Sequence, residues 1–167
     1  DKYLNIYVVP TITAGILGYA PDPIDPQLNG NTALNLDGVV IRAQTFGDET
    51  HPFLGGSVSP QYTSFAGFRK EQGKTLAHEV GHYLFLLHTF QGDCSTPNDR
   101  VADTDQCQLA ASGDPHTWFC GANPPTDKCV YNPAWNQWDN FMYYIEDNCQ
   151  RDFTLGQRTR MHNFIQA

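Results

Sequence analysis

Three histidines and a glutamate within eleven residues, His78-Glu79-Val80-Gly81-His82-Tyr83-Leu84-Phe85-Leu86-Leu87-His88, carry the densest chemistry in the chain. Two histidines four apart lie on one face of a helix, so both imidazoles can reach a single metal ion while Glu79 projects beside them. His88 comes six residues after His82, about 600° further round a helix, and cannot share that face unless the helix ends and the chain swings back. Three neutral nitrogen ligands leave the fourth position of a tetrahedral zinc ion to water, the open arrangement of a catalytic site. Glu79 is then placed to take a proton from that water and pass it to a leaving amine. Gly81 thins the helix face beside the metal. His51, His116 and His162 show no ligand spacing and read as surface or structural residues.

Such a motif needs a helix to carry it and a sheet to hold that helix. Leu76, Val80, Tyr83, Leu84 and Leu87 form an apolar stripe offset from the His78/His82 face, which predicts one side in a core and the other lining a cleft. Upstream, residues 3–10 (YLNIYVVP) are β-branched and aromatic and predict a strand closed by Pro10, and residues 38–43 (GVVIRA) predict a buried strand. Alternate prolines at Pro21, Pro23 and Pro26 deny a helix and mark an extended loop, and the Gly- and Pro-marked stretch 47–60 is a loop as well. No sustained period runs through residues 91–137. Near the C-terminus, Thr154-x-x-Gln157 is a capping box that opens a last helix, with Leu155, Met161, Phe164 and Ile165 expected to face a core.

Composition narrows the partners. At 167 residues the chain is long enough for one well-built domain. A formal charge of −8 with ten Lys and Arg argues against nucleic acid or an anionic membrane as partner. No apolar run approaches the ~20 residues of a membrane-spanning helix. The sequence enters an apolar segment directly after Asp1-Lys2, without a charged leader, so any signal or pro-segment is expected to be missing already. Five cysteines, all after the histidine stretch and none in a Cys-x-x-Cys pair, sit in a polar, Pro- and Gly-rich region. That pattern fits disulfides in an oxidising compartment better than a thiolate metal knuckle, and an odd number leaves one thiol over.

The spacing HExxHxxxxxH, followed by Asn140-Phe141-Met142-Tyr143-Tyr144, resembles the metzincin clan of zinc endopeptidases, in which a methionine-bearing turn runs beneath the metal. More specifically, residues 78–94 (HEVGHYLFLLHTFQGDC), residues 99–104 (DRVADT), residues 140–149 (NFMYYIEDNC), residues 153–161 (FTLGQRTRM) and the upstream LNIYVV and DGVVI look like the pappalysin family. The resemblance implies that His78, His82 and His88 bind Zn2+, that Glu79 is the general base and acid, and that Met142 is the Met-turn residue. It places Tyr144 where a phenol can approach the metal or the tetrahedral intermediate. It also implies a Ca2+ site built from Asp99, Val101 and Thr104, disulfides Cys94–Cys129 and Cys120–Cys149, and Cys107 as the odd thiol.

Four departures from the family pattern matter. Phe85 stands where members carry Gly or Asn, residues that tolerate positive φ, so the turn toward His88 must strain a phenylalanine or change shape. Tyr143 replaces the usual Asp of the Met-turn, and Asp105 a usual Pro. Asn148 replaces the Asp found in some members at the base of the pocket for the residue after the scissile bond, which removes the charge that would favour Arg or Lys there.

The resulting expectation is a secreted, zinc-dependent endopeptidase acting on protein or peptide substrates as a monomer. Its fold is α+β and metzincin-type: a twisted mixed sheet with the active-site helix in an upper lobe, and an irregular disulfide-linked lower lobe with the Met-turn and C-terminal helix. One catalytic domain spans 1–167, with an N-terminal subdomain of about 1–88 and a C-terminal one of 89–167. Members of the family carry more sequence before the first strand, which points to a truncated or processed core. The competing expectation is a zinc-containing, proteolytically inert binding domain whose site Phe85 or Tyr143 distorts; retention of Glu79 argues against it.

Overall fold

The computed structural model describes residues 3–12, 16–20, 38–46, 64–65, 68–69, 73–92, 99–104, 139–145, 147 and 149–166. The chain divides into two units, residues 1–85 and 86–167. The expected loops at 21–26 and 47–60, and most of the irregular stretch 91–137, lie outside the described residues.

The first unit is built on β1 (Ile6–Val9), β2 (Gly18–Tyr19) and β3 (Val39–Arg42), in the order β1-β3-β2. β1 runs parallel to β3, with Ile6 opposite Val39 and Val9 opposite Arg42, and β2 runs antiparallel to it, with Gly18 opposite Ile41. The sheet is therefore mixed. Val39, Val40 and Ile41 are buried, as the continuous apolar run predicts for a central strand. β1, at one edge, leaves Ile6, Tyr7 and Val8 exposed. A one-turn helix, α1 (Ala43–Phe46), follows β3 directly, and its Thr45 hydroxyl donates to the Leu17 carbonyl on the approach to β2. Helix α2 (Lys74–Tyr83) packs against β3, β2 and α1. A hairpin of β4 (Ser64–Phe65) and β5 (Phe68–Arg69), which sequence patterning does not reveal, completes the described elements of this unit.

The apolar stripe expected to bury α2 does not do so. Leu76, Val80 and Tyr83 are only half-buried, whereas Thr75, His78, Glu79 and Gly81 are buried. The helix ends at Tyr83, so Leu84 and Leu87 never join it, and the face turned inward is the one bearing the motif.

In the second unit, Tyr143, Ile145 and Cys149 form a small core with Phe90 against it. Helix α3 (Leu155–Gln166) begins at the expected capping box: the Gln157 N–H donates to Thr154 Oγ1 at 3.1 Å, and the Thr154 N–H to Gln157 Oε1 at 2.9 Å. The expectation that its apolar residues face a core fails for three of the four, Met161 alone being partly buried. Leu155 is 70% exposed and Ile165 66%, and Phe164 is exposed too, while Gln157 is fully buried. The helix is anchored by polar bonds at its first turn. Gln157 and Asn140 exchange side-chain amide hydrogen bonds of 2.8 and 3.2 Å, and the Asp103 carboxylate accepts from the Thr154 hydroxyl and the Gly156 N–H, both at 2.8 Å.

Candidate active site

Phe85 makes the turn that the motif requires. Its φ is +77°, the left-handed conformation normally left to Gly or Asn, and its N–H donates to the His82 carbonyl at 2.9 Å while the Leu84 N–H reaches Val80 O at 2.9 Å. The helix thus ends at Tyr83, one residue after His82, and the chain turns away through a strained phenylalanine in place of a glycine. A non-glycine residue held there costs about 1–2 kcal/mol.

The ligating atoms of His78, His82 and His88 all lie within 4.8 Å of one another. His78 Nε2 and His82 Nε2 are 3.1 Å apart, with the rings edge to face. Two nitrogens on a tetrahedral zinc ion at ~2.0–2.1 Å would stand roughly 3.3 Å apart, so the donor type and spacing of this pair fit that ion. Glu79, beside them, is only 7% exposed. Burial pushes its carboxyl up to about 8 in the metal-free chain.

Around His88 the second unit supplies aromatic packing that the sequence did not disclose. Phe90 stacks on the imidazole, 4.6 Å between centroids and 10° between planes, and Tyr144 meets it edge-on at 4.8 Å. Phe90 also contacts Tyr144 and Tyr143 edge to face. Tyr143 is fully buried, whereas Tyr144 is 39% exposed. In the present chain, therefore, the residue in place of the usual Met-turn Asp is a core tyrosine.

Met142 is completely buried. Its N–H donates to Asn140 Oδ1 at 2.8 Å, and its carbonyl accepts from the Thr89 N–H at 3.3 Å, one residue past His88. Gln150 Nε2 donates to the carbonyls of Phe141 and Tyr143 at 3.2 and 3.0 Å, bracketing the methionine. Asn140 and Gln157 are the residues that sequence reasoning missed here. The capping box marks Gln157 as a residue that reaches back, but nothing in spacing says that its amide also holds Asn140.

Asp99, Val101 and Thr104 lie together and buried. Asp99 Oδ1 accepts from the Val101 N–H at 3.2 Å and the Thr104 hydroxyl at 2.7 Å, and that hydroxyl also lies 2.8 Å from Val101 O. Asp99 Oδ2 is buried without a hydrogen-bond partner. Burial, opposed by those two bonds and by Arg160, raises the carboxyl to about 6. Cys149 is disulfide-bonded. Its expected partner Cys120, the pair Cys94 and Cys129, the odd Cys107, and Asn148 lie outside the described residues.

Comparison with known proteins locates this geometry. A family model described as pregnancy-associated plasma protein-A, of the M43 peptidases, matches residues 58–166. An extracellular metalloprotease of Verticillium alfalfae is 38% identical over 98% of the chain, covering 49% of that protein. One of Pyricularia oryzae is 36% identical over 98% of the chain and 48% of its own length. Among solved structures, mature mirolysin of Tannerella forsythia in complex with a cleaved peptide is 33% identical, with a TM-score of 0.65 over 96% of this chain and 51% of that one. The fold is accordingly the mixed α+β one of mirolysin, and the chain spans about half the length of the proteins it matches.

Proposed function

The chain belongs to the M43 peptidases, the pregnancy-associated plasma protein-A family, and from that premise we propose that it is the catalytic domain of a secreted zinc-dependent endopeptidase. The observation that carries the reading is the clustering of three imidazoles within 4.8 Å beside a buried glutamate. His78, His82 and His88 would hold the ion, and their neutral nitrogens are the donors zinc takes in catalytic sites. When bound, zinc supplies Lewis acidity that makes water a nucleophile near neutral pH and polarises a peptide carbonyl.

The chain's own groups do the rest. Glu79 accepts the proton of the attacking water and returns it to the leaving nitrogen, a role its position next to His78 on α2 suits. Its burial excludes bulk water from the proton's path, and an adjacent dication would offset the burial that raises its pKa, restoring the carboxylate a base must be. Tyr144, half-open to solvent and edge-on to His88, donates its phenolic proton toward the carbonyl oxygen as negative charge develops there. Met142 takes the part of the Met-turn residue, which supports the site without ligating. Substrates are proteins or peptides, in line with the cleaved peptide in the mirolysin complex, and a neutral Asn148 removes the electrostatic reason to prefer Arg or Lys after the cut.

A second ion, calcium, is proposed at Asp99, Val101 and Thr104. Its support is Asp99 Oδ2, a buried carboxylate oxygen without a hydrogen-bond partner among the described residues, and the hard oxygen donors of Thr104 and Val101, whose hydroxyl and carbonyl lie 2.8 Å apart. Calcium should raise the melting temperature of the wild type and leave that of Asp99→Asn unchanged.

Digestion of casein, an unstructured protein, tests the principal reading. The zinc-loaded wild type should cut it, a chelator should stop it, and Glu79→Ala should retain zinc while losing turnover. A wild type that binds zinc and cuts nothing would instead favour the inert binding domain.

A further inference from the structure

Gly18 is the edge-strand residue of β2 opposite Ile41, and it is buried. A Cβ built there would lie 2.8 Å from Glu79 Cγ, 2.8 Å from Ile41 Cδ1 and 3.0 Å from Val40 O. The backbone at Gly18 is not in the left-handed region, so its conformation would admit any residue. Space is what requires glycine here. Of the two side-chain neighbours, the Ile41 methyl is the end of a flexible chain, whereas Glu79 Cγ is the stem of a side chain rooted in the middle of α2, with its carboxylate beyond.

We propose that Gly18 is a positioning residue for Glu79: the missing side chain on β2 is the seat against which the glutamate's methylenes rest, and this seat fixes where the carboxylate points. The catalytic consequence rests on the reading of Glu79 as the base; the packing does not. An alanine at 18 must push Cγ outward by about 0.6 Å to reach ordinary contact, and rotation about χ1 and χ2 magnifies that at the carboxylate. Displacements near ~1 Å cost on the order of 10²-fold in rate when they fall on a reacting group. The strand thus does more than pair with β3; its one glycine sets the aim of the helix's acid.

The test separates these two layers. In the metal-free chain, Gly18→Ala should lower Tm by about 5 °C, the size expected of overpacking in a domain this large. In a Glu79→Ala background, which removes Cγ, most of that loss should disappear, whereas in an Ile41→Val background, which removes Cδ1, most should remain. An equal loss with and without the Glu79 side chain, relief by Ile41→Val alone, or failure of Gly18→Ala to fold even beside Glu79→Ala overturns the proposal. With zinc bound, Gly18→Ala should keep metal stoichiometry and KM while kcat falls at least ~10-fold; an unchanged kcat overturns the positioning role. If the wild type cleaves no peptide, the peptidase reading fails, and the stability comparison still decides the seat.

Discussion

A phenylalanine at φ +77° is the residue on which the placing of the motif's third histidine depends, because the helix must stop between His82 and His88. Its backbone strain predicts an inverted substitution order. Phe85→Ala loses the ring and keeps the strain, whereas Phe85→Gly loses the ring and relieves it, so the glycine variant should be the more stable of the two by about 1 kcal/mol. Denaturant unfolding of both variants measures this. Phe90 stacks on the ring of His88, the third proposed ligand, and Phe90→Ala should weaken zinc affinity on the order of 10-fold by letting the imidazole turn. Competition with a chromogenic chelator reads it directly. Asp99 makes a pH prediction. Its folded pKa, about 6, lies above the ordinary value of 3.8, so between those values the folded state holds the proton more tightly than the unfolded one. In the metal-free chain, stability relative to Asp99→Asn should therefore be greatest below about pH 4 and fall by up to about 3 kcal/mol as pH rises through 6. Unfolding curves of the two chains across that window check it.

At the scale of elements, α3 and the turn carrying Met142 are joined by polar contacts. Gln157 spends its side-chain oxygen on the Thr154 N–H and Asn140 Nδ2 and its nitrogen on Asn140 Oδ1, the same oxygen that accepts the Met142 N–H. Gln157→Leu keeps the volume and strands the buried Asn140 amide, so it should cost about 2–3 kcal/mol and loosen the turn around Met142. Amide hydrogen exchange at Met142 should rise in that variant while α2 stays protected. This joint explains why the sequence misplaced the burial of α3. Leu155 lies about 200° round the helix from Gln157, so anchoring the glutamine inward turns the leucine to solvent. Apolar periodicity had no means to reveal it, since the inward residue is polar. On α2 the same failure has another cause: the apolar periodicity runs on through Leu84 and Leu87, whereas the helix ends at Tyr83 and the chain turns at Phe85. The two strands β1 and β3 were legible because β-branched runs bounded by Pro10 and Gly38 leave few alternatives, whereas parallel pairing and the order β1-β3-β2 are written in no local pattern.

Taken whole, the chain states its chemistry more openly than its architecture. The spacing of the three histidines, Glu79 beside them and the 140–144 sequence are short-range features, set by residue type and helical geometry. What positions them is long-range: Gly18 under Glu79 is 61 positions away, and Asp103 holds the start of α3 from across 53 residues to Gly156. Such pairs come together only through the fold. The central claim, that three imidazoles and Glu79 make a working zinc peptidase, is tested most directly by titrating zinc into the metal-free chain while following cleavage of an internally quenched peptide. The account predicts that activity rises to a plateau at one zinc per chain and that Glu79→Ala binds the same single zinc without cleaving. Full cleavage by the metal-free chain, or by the zinc-loaded Glu79→Ala chain, would contradict it.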